Sequence, residues 1–134
     1  MVARISHGRD IAGVLFYNKL KVDGKTGRIL LCHGMTVSPR DAAFDIRRCI
    51  DDFRPYTDPP SRMKEKIFHV SLNPHPDDQL DEARLCDIAT HYMEGMGYGA
   101  QPYIVYLHED IDRHHLHIVS VRKRLDGSTV PYYS

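Results

Sequence analysis

Apolar and polar positions along the chain change period several times, and each change marks an element. Residues 2–6 (VARIS) read as a short strand that Gly8 breaks, after which Asp10 is placed to cap a helix over IAGVLFYNKLKV, residues 11–22. Ile11, Val14, Leu15 and Val22 fall on one helical stripe, with Tyr17 at its edge. The glycines of VDGKTGR predict a turn, and RILLCHG a compact apolar strand. A second helix is predicted with Ser38 as N-cap and Pro39 as first residue, burying Ala42, Ala43, Ile46, Cys49, Ile50 and Phe53. RPYTDPPSR reads as a surface loop, and KIFHVSLN as a strand ended by NPHPDD. The next helix runs from about Leu80 to Met96 and buries Leu85, Ile88, Ala89, Tyr92, Met93 and Met96. YIVYLH and HLHIVSVRK then pair as an antiparallel hairpin, and DGS turns the chain into a short last strand. The order βαβαβαββ, closing on a hairpin, predicts an α+β fold: a mostly antiparallel sheet with helices covering one face.

At 134 residues the chain has the size of one domain, and one domain spanning 1–134 is expected. Its 42% hydrophobic and 27% charged residues are those of a folded globular protein, which excludes a disordered chain. No apolar run reaches the length of a membrane span and MVARISHGRD has no signal-peptide pattern, so membrane insertion is not expected and a cytoplasmic location is. Cys32, Cys49 and Cys86 are odd in number and form no CxxC pair; they read as small apolar residues rather than disulfides or a zinc site. The net charge is zero, but residues 1–40 carry seven Lys/Arg against two Asp, 41–112 seven against fifteen acids, and 113–134 four against one. If the two basic ends meet in the fold, they make a local positive field for a polyanion.

The strongest chemical signal is the run HEDIDRHHLH, residues 108–117. His115 and His117 stand two apart on a strand and project from one face, while His114 takes the other. Pairing that sets His108 opposite either of them brings three imidazoles together, a donor set that leaves open coordination positions for substrate. Asp110 and Asp112 lie in the connecting loop, either as partners that orient the ligands or as turn-forming residues.

The run HEDIDRHHLHIVSV resembles the metal-binding motif of the relaxase, or mobilisation nuclease, family of the HUH endonuclease superfamily, with His108, His115 and His117 on its three ligand positions. FYNKLKV looks like the family's nucleophile motif and places the catalytic tyrosine at Tyr17. FHVSLNPHPDDQL and MEGMGYGAQPYIVYLHED extend the likeness, toward relaxases of mobile elements in Bacteroides-like bacteria, over nearly the whole chain. The resemblance implies a relaxase-like sandwich of two or three layers. It also implies an enzyme that nicks one DNA strand at a transfer origin and keeps the 5′ phosphate on tyrosine during mobilisation. Mn²⁺ or Mg²⁺ is the implied ion, although three imidazoles suit Zn²⁺ or Ni²⁺ as well. Single-stranded DNA is the implied partner, with accessory mobilisation proteins and a coupling protein, in the bacterial cytoplasm. Relaxases usually continue past this length, so a catalytic fragment is expected.

A phenol titrates near pH 10 and needs help to lose its proton; Asp110, His69 and His7 are the candidate bases, and the sequence does not choose among them. Tyr92, Tyr103, Tyr106, Tyr132 and Tyr133 have no better claim as nucleophile than Tyr17. Arg4, Arg9, Lys19 and Lys21 around Tyr17, and Arg113, Arg122, Lys123 and Arg124 around the histidines, are the expected DNA contacts. Three other readings stand beside the relaxase: a replication initiator of the same superfamily, a two-histidine phosphodiesterase, and a non-enzymatic nucleic-acid-binding module. His69-Val70-Ser71 fits one Hx[ST] motif of the phosphodiesterases, but His117-Ile118-Val119 fails the second, and the binding module leaves the histidines unexplained.

Overall fold

The computed structural model describes residues 1–15, 27–75, 77, 78, 80–110 and 113–131, the side chains of Asp110 and Arg113 excepted. Five strands, β1 (Val2–Gly8), β2 (Gly27–His33), β3 (Ile67–Asn73), β4 (Tyr103–Asp110) and β5 (Arg113–Val121), form one sheet in the order β1-β3-β5-β4-β2. Every neighbouring pair is antiparallel. Residues 11–15 are helical, and two longer helices, α1 (Ile46–Thr57) and α2 (Glu82–Gly95), separate β2, β3 and β4. The element order matches the one read from periodicity.

The helices lie on both faces of the sheet, not one, which corrects the sequence reading. The reason is visible in β3, β4 and β5: both parities are apolar there, so neither face tolerates water. Phe68, Val70, Leu72, Tyr103, Val105, Leu107, Leu116 and Ile118 pack against Leu85, Ala89 and Met93 of α2. Ile67, Ile104, Tyr106, Val119 and Val121 pack on the opposite face against Ile46, Cys49, Ile50 and Phe53 of α1 and against Ile11 and Leu15.

Helix α1 begins seven residues later than the Ser38-Pro39 signal suggested. Asp41 closes a turn on Ser38 instead, its carboxylate accepting from the Ser38 N–H at 2.9 Å, while Asp45 caps the helix by accepting from Arg47 N at 2.9 Å. Ala42 and Ala43 are consequently exposed rather than core. At its other end α1 runs through Pro55 to Thr57, into the stretch expected to be loop. The helix at 11–15 starts as predicted, with the Gly13 N–H donating to Asp10 Oδ2 at 3.2 Å. Asp81 caps α2 through Arg84 N at 2.9 Å. The last turn is made by Gly127 at φ 87°, with Lys123 bridged to Thr129. The three cysteines are free thiols; Cys49 is buried and the other two are partly so.

Candidate functional site

On the face that carries α1, the strands are covered at one end and polar at the other. Three rows of residues cross the sheet there. Asn73 of β3, His115 of β5, His108 of β4 and Gly27 of β2 make the first, in which His108 pairs with His115 and Gly27 with His108. Arg4, Ser71, His117, Tyr106 and Ile29 make the second. Ser6, His69, Val119 and Ile104 make the third. The parity argument for His108, His115 and His117 therefore holds, and the pairing chooses His115 as the partner of His108.

The rings of His108 and His117 pack with centroids 4.2 Å apart, and His108 is 8% exposed. His115 Nδ1 lies 2.5 Å from Asn73 Oδ1. The Asn73 amide is itself oriented by its Nδ2–H donors, which go to Ser71 Oγ at 3.1 Å and Val2 O at 3.4 Å. Its carbonyl oxygen must therefore face His115 and accept from Nδ1–H, which leaves the lone pair of His115 on Nε2. This is how imidazole ligands are generally held. Among the described residues no three His, Cys, Asp or Glu side chains already stand ready to hold an ion. The three-imidazole donor set and the anchored Nδ1 of His115 fit a divalent transition ion.

Sequence reasoning missed Asn73 and Ser6, and it weighed His69 as a base and in an Hx[ST] motif, not as a partner of His117. Their signal was the alternation of His69, Ser71 and Asn73 along one strand face. His69 Nε2 is 3.1 Å from His117 Nδ1, and its Nδ1 is 3.2 Å from Ser6 Oγ. His7, a second candidate base, lies on the other face with its ring against Phe68, and burial holds its pKa below the usual histidine value. His114 faces away from the cluster as predicted, beside Glu109.

Tyr17, Lys19, Lys21 and Asp112 lie outside the described residues, as do Tyr132 and Tyr133. Both ends of the segment that contains Tyr17 are fixed beside the histidines. Leu15 O accepts from the hydroxyl of Tyr106 at 3.4 Å, and Gly27 pairs with His108. A side chain at position 27 would run into the Leu107 carbonyl oxygen and come 3.2 Å from His108 Cα and Cδ2. Among the other tyrosines, Tyr98, Tyr103 and Tyr106 are buried, and burial raises the pKa of each, to about 12 for Tyr98. None of the three is suited to attack a phosphate.

Of the expected DNA contacts, Arg4 is exposed at the cluster, lining an open cleft of about 540 Å³ with Ser71, Asn73, His75 and His115. Arg113 begins β5, opposite Asp110. Arg9 and Arg122 to Arg124 lie instead at the opposite end of the strands from the histidines. Arg9 follows the last residue of β1, and Arg122 N bonds Lys66 O beside the last residue of β5. Six residues of strand, roughly 20 Å, separate this end from His115. Arg122 donates there to Glu65 O, Lys123 to Gly127 O, and Arg124 to Ser128 Oγ and Thr129 O. No helix among the described residues is long and apolar enough to cross a membrane.

Compared with known proteins, the chain matches a family model described as "Relaxase: MobA/VirD2-like, nuclease domain" over residues 17–134. No curated protein and no solved structure gives a match. The family model covers the histidine hairpin, the β3 segment and Tyr17 together. The chain thus belongs to the relaxase family, as a nuclease domain of the kind that nicks DNA.

Proposed function

We propose that this domain nicks one strand of DNA at a transfer origin by attack of Tyr17 on a phosphate presented at His108, His115 and His117. The reading is supported above all by one observation: the three histidines share one sheet face at the place where both ends of the Tyr17 segment are anchored. Tyr17 follows Leu15 by two residues in the chain.

His108, His115 and His117 would hold Mn²⁺ or Mg²⁺, which would draw charge from a nonbridging oxygen of the scissile phosphate. The phenol oxygen of Tyr17 forms a bond to phosphorus as the bond from phosphorus to the 3′ oxygen breaks. Asp110, two residues beyond His108, is the proposed acceptor of the phenol proton, and the departing 3′ oxygen takes up a proton. One phosphodiester is exchanged for another, so the 5′-phosphotyrosine keeps the energy needed for religation after transfer. The cleft beside His115 receives the adjoining nucleotide, with Arg4 against its phosphate. A strand entering this way must be single, since a duplex would not bring its phosphate and bases down onto the sheet. Transfer of a mobile element, aided by accessory mobilisation proteins and a coupling protein, is the setting that fits such an enzyme. Lys19, Lys21 and Arg113 are proposed further contacts to the strand.

The test is nicking of a pool of end-labelled single-stranded oligonucleotides from candidate transfer origins, in Mn²⁺, resolved on denaturing gels. Cleavage at one position is expected in the native domain and its loss in His108→Ala, His115→Ala and His117→Ala. Undiminished cleavage by the triple variant would refute a role for the histidines.

A further inference from the structure

His69 is left over by the reaction just described. It stands on β3, one strand away from β5, and its ring stacks on His117 with centroids 5.3 Å apart and planes 11° from parallel. Its Nε2 meets His117 Nδ1 at 3.1 Å, and its Nδ1 meets Ser6 Oγ on β1 at 3.2 Å. A hydrogen bond between two imidazole nitrogens needs a proton on one of them and a lone pair on the other. If His69 donated, neutral His117 would carry its own proton on Nε2 and present no lone pair to an ion. With the proton on His117 Nδ1, His69 Nε2 accepts, His69 Nδ1–H donates to Ser6 Oγ, and His117 Nε2 is left as a donor atom.

The geometry points to His69 as the positioning residue of the site, which fixes the tautomer and ring angle of His117 through a Ser6–His69–His117 chain crossing β1, β3 and β5. This rests on the metal reading above. It gives His117 from β3 what Asn73, on the same strand face, gives His115. Two of the three proposed ligands are then oriented by one strand, with Asn73 and His69 four residues apart. His69 has a positioning role here rather than that of base to the tyrosine, because its two ring nitrogens are engaged by His117 and Ser6.

Three proteins decide it: the native chain, His69→Leu, and His69→Gln, whose side-chain oxygen can stand in for the Nε2 acceptor. Calorimetric titration with Mn²⁺ is expected to show affinity reduced about 10–100-fold in His69→Leu and largely restored in His69→Gln. Long-range nitrogen–proton spectra of the metal-free native chain are expected to show His117 protonated on Nδ1 with Nε2 bare. A native His117 protonated on Nε2 overturns the proposal, and so does native-like Mn²⁺ affinity in a folded His69→Leu. Should His69→Leu fail to fold, the native spectrum and His69→Gln carry the decision. A native chain that holds the Nδ1 tautomer yet binds no ion refutes the metal reading and leaves the His69–His117 hydrogen bond standing.

Discussion

Gly27→Ala adds a single methyl group at the place where the edge strand β2 lies closest to a proposed ligand. That methyl group would overlap the Leu107 carbonyl oxygen and sit 3.2 Å from both Cα and Cδ2 of His108. The obstacle is backbone and an enclosed ring, neither of which can swing aside as a long flexible side chain would. Because β2, among the described residues, is an edge strand paired only with β4, relief comes from its first residues moving off β4. That loosens the pairing of Gly27 with His108 and removes one wall from the His108 ring. Overpacking of this kind costs about 1–3 kcal/mol, which for a domain of this size lowers the melting midpoint by roughly 4–12 °C. The expected result is a melting midpoint reduced within that range, together with Mn²⁺ affinity lowered about 10–100-fold, as when a ligand loses its outer support. Gly95→Ala is the control. A methyl group there meets nothing within 4 Å, at the last residue of α2, and is expected to stabilise by about 0.4–1 kcal/mol. Equal melting and equal Mn²⁺ affinity for Gly27→Ala and the native chain would show that His108 does not depend on β2.

Asn73→Ala should leave His115 Nδ1 without its acceptor and weaken Mn²⁺ binding about 10–100-fold, with the fold retained in circular dichroism. Tyr106→Phe removes the hydroxyl that holds Leu15 O; about 1 kcal/mol of stability is expected to go, with the nicking rate reduced and calorimetric Mn²⁺ affinity unchanged. Alkaline unfolding should follow the buried phenols. Tyr98 is raised to about 12 chiefly by burial, so the folded state favours its neutral form. The stability this gives is complete below about pH 10 and is lost as pH rises toward 12; the loss is of order 2–3 kcal/mol, read from urea midpoints across that window.

The histidine face was legible because strand parity is a rigid rule: once His115 and His117 lie on one strand and His108 on its hairpin partner, only the register is left to find. The element order was legible because the helical period along 82–95 and the apolar runs of β3 to β5 each mark one element. What escaped was information carried between distant segments. Ser38-Pro39 has the chemistry of a helix start, yet Asp41 folds it into a turn and Asp45 begins the helix instead, a contest between two local signals that sequence alone does not decide. The double cover of the sheet was written in the apolar residues at both parities of β3 to β5 but was read as one-sided. Asn73 and His69 gained their meaning only when β3 came to lie beside β5. Arg122, Lys123 and Arg124 follow the far end of β5, roughly 20 Å along the strand from His115.

The central claim is that Tyr17 takes the DNA phosphate, and the most direct test is to find that bond. The native domain, incubated with Mn²⁺ and a cleavable single-stranded oligonucleotide, is digested with protease and nuclease, and the adducted peptide is sequenced by mass spectrometry. The account predicts one adduct, a 5′-phosphonucleotide on Tyr17, absent after chelation and absent in Tyr17→Phe. An adduct on another residue, or cleavage that proceeds unchanged in Tyr17→Phe, would contradict it.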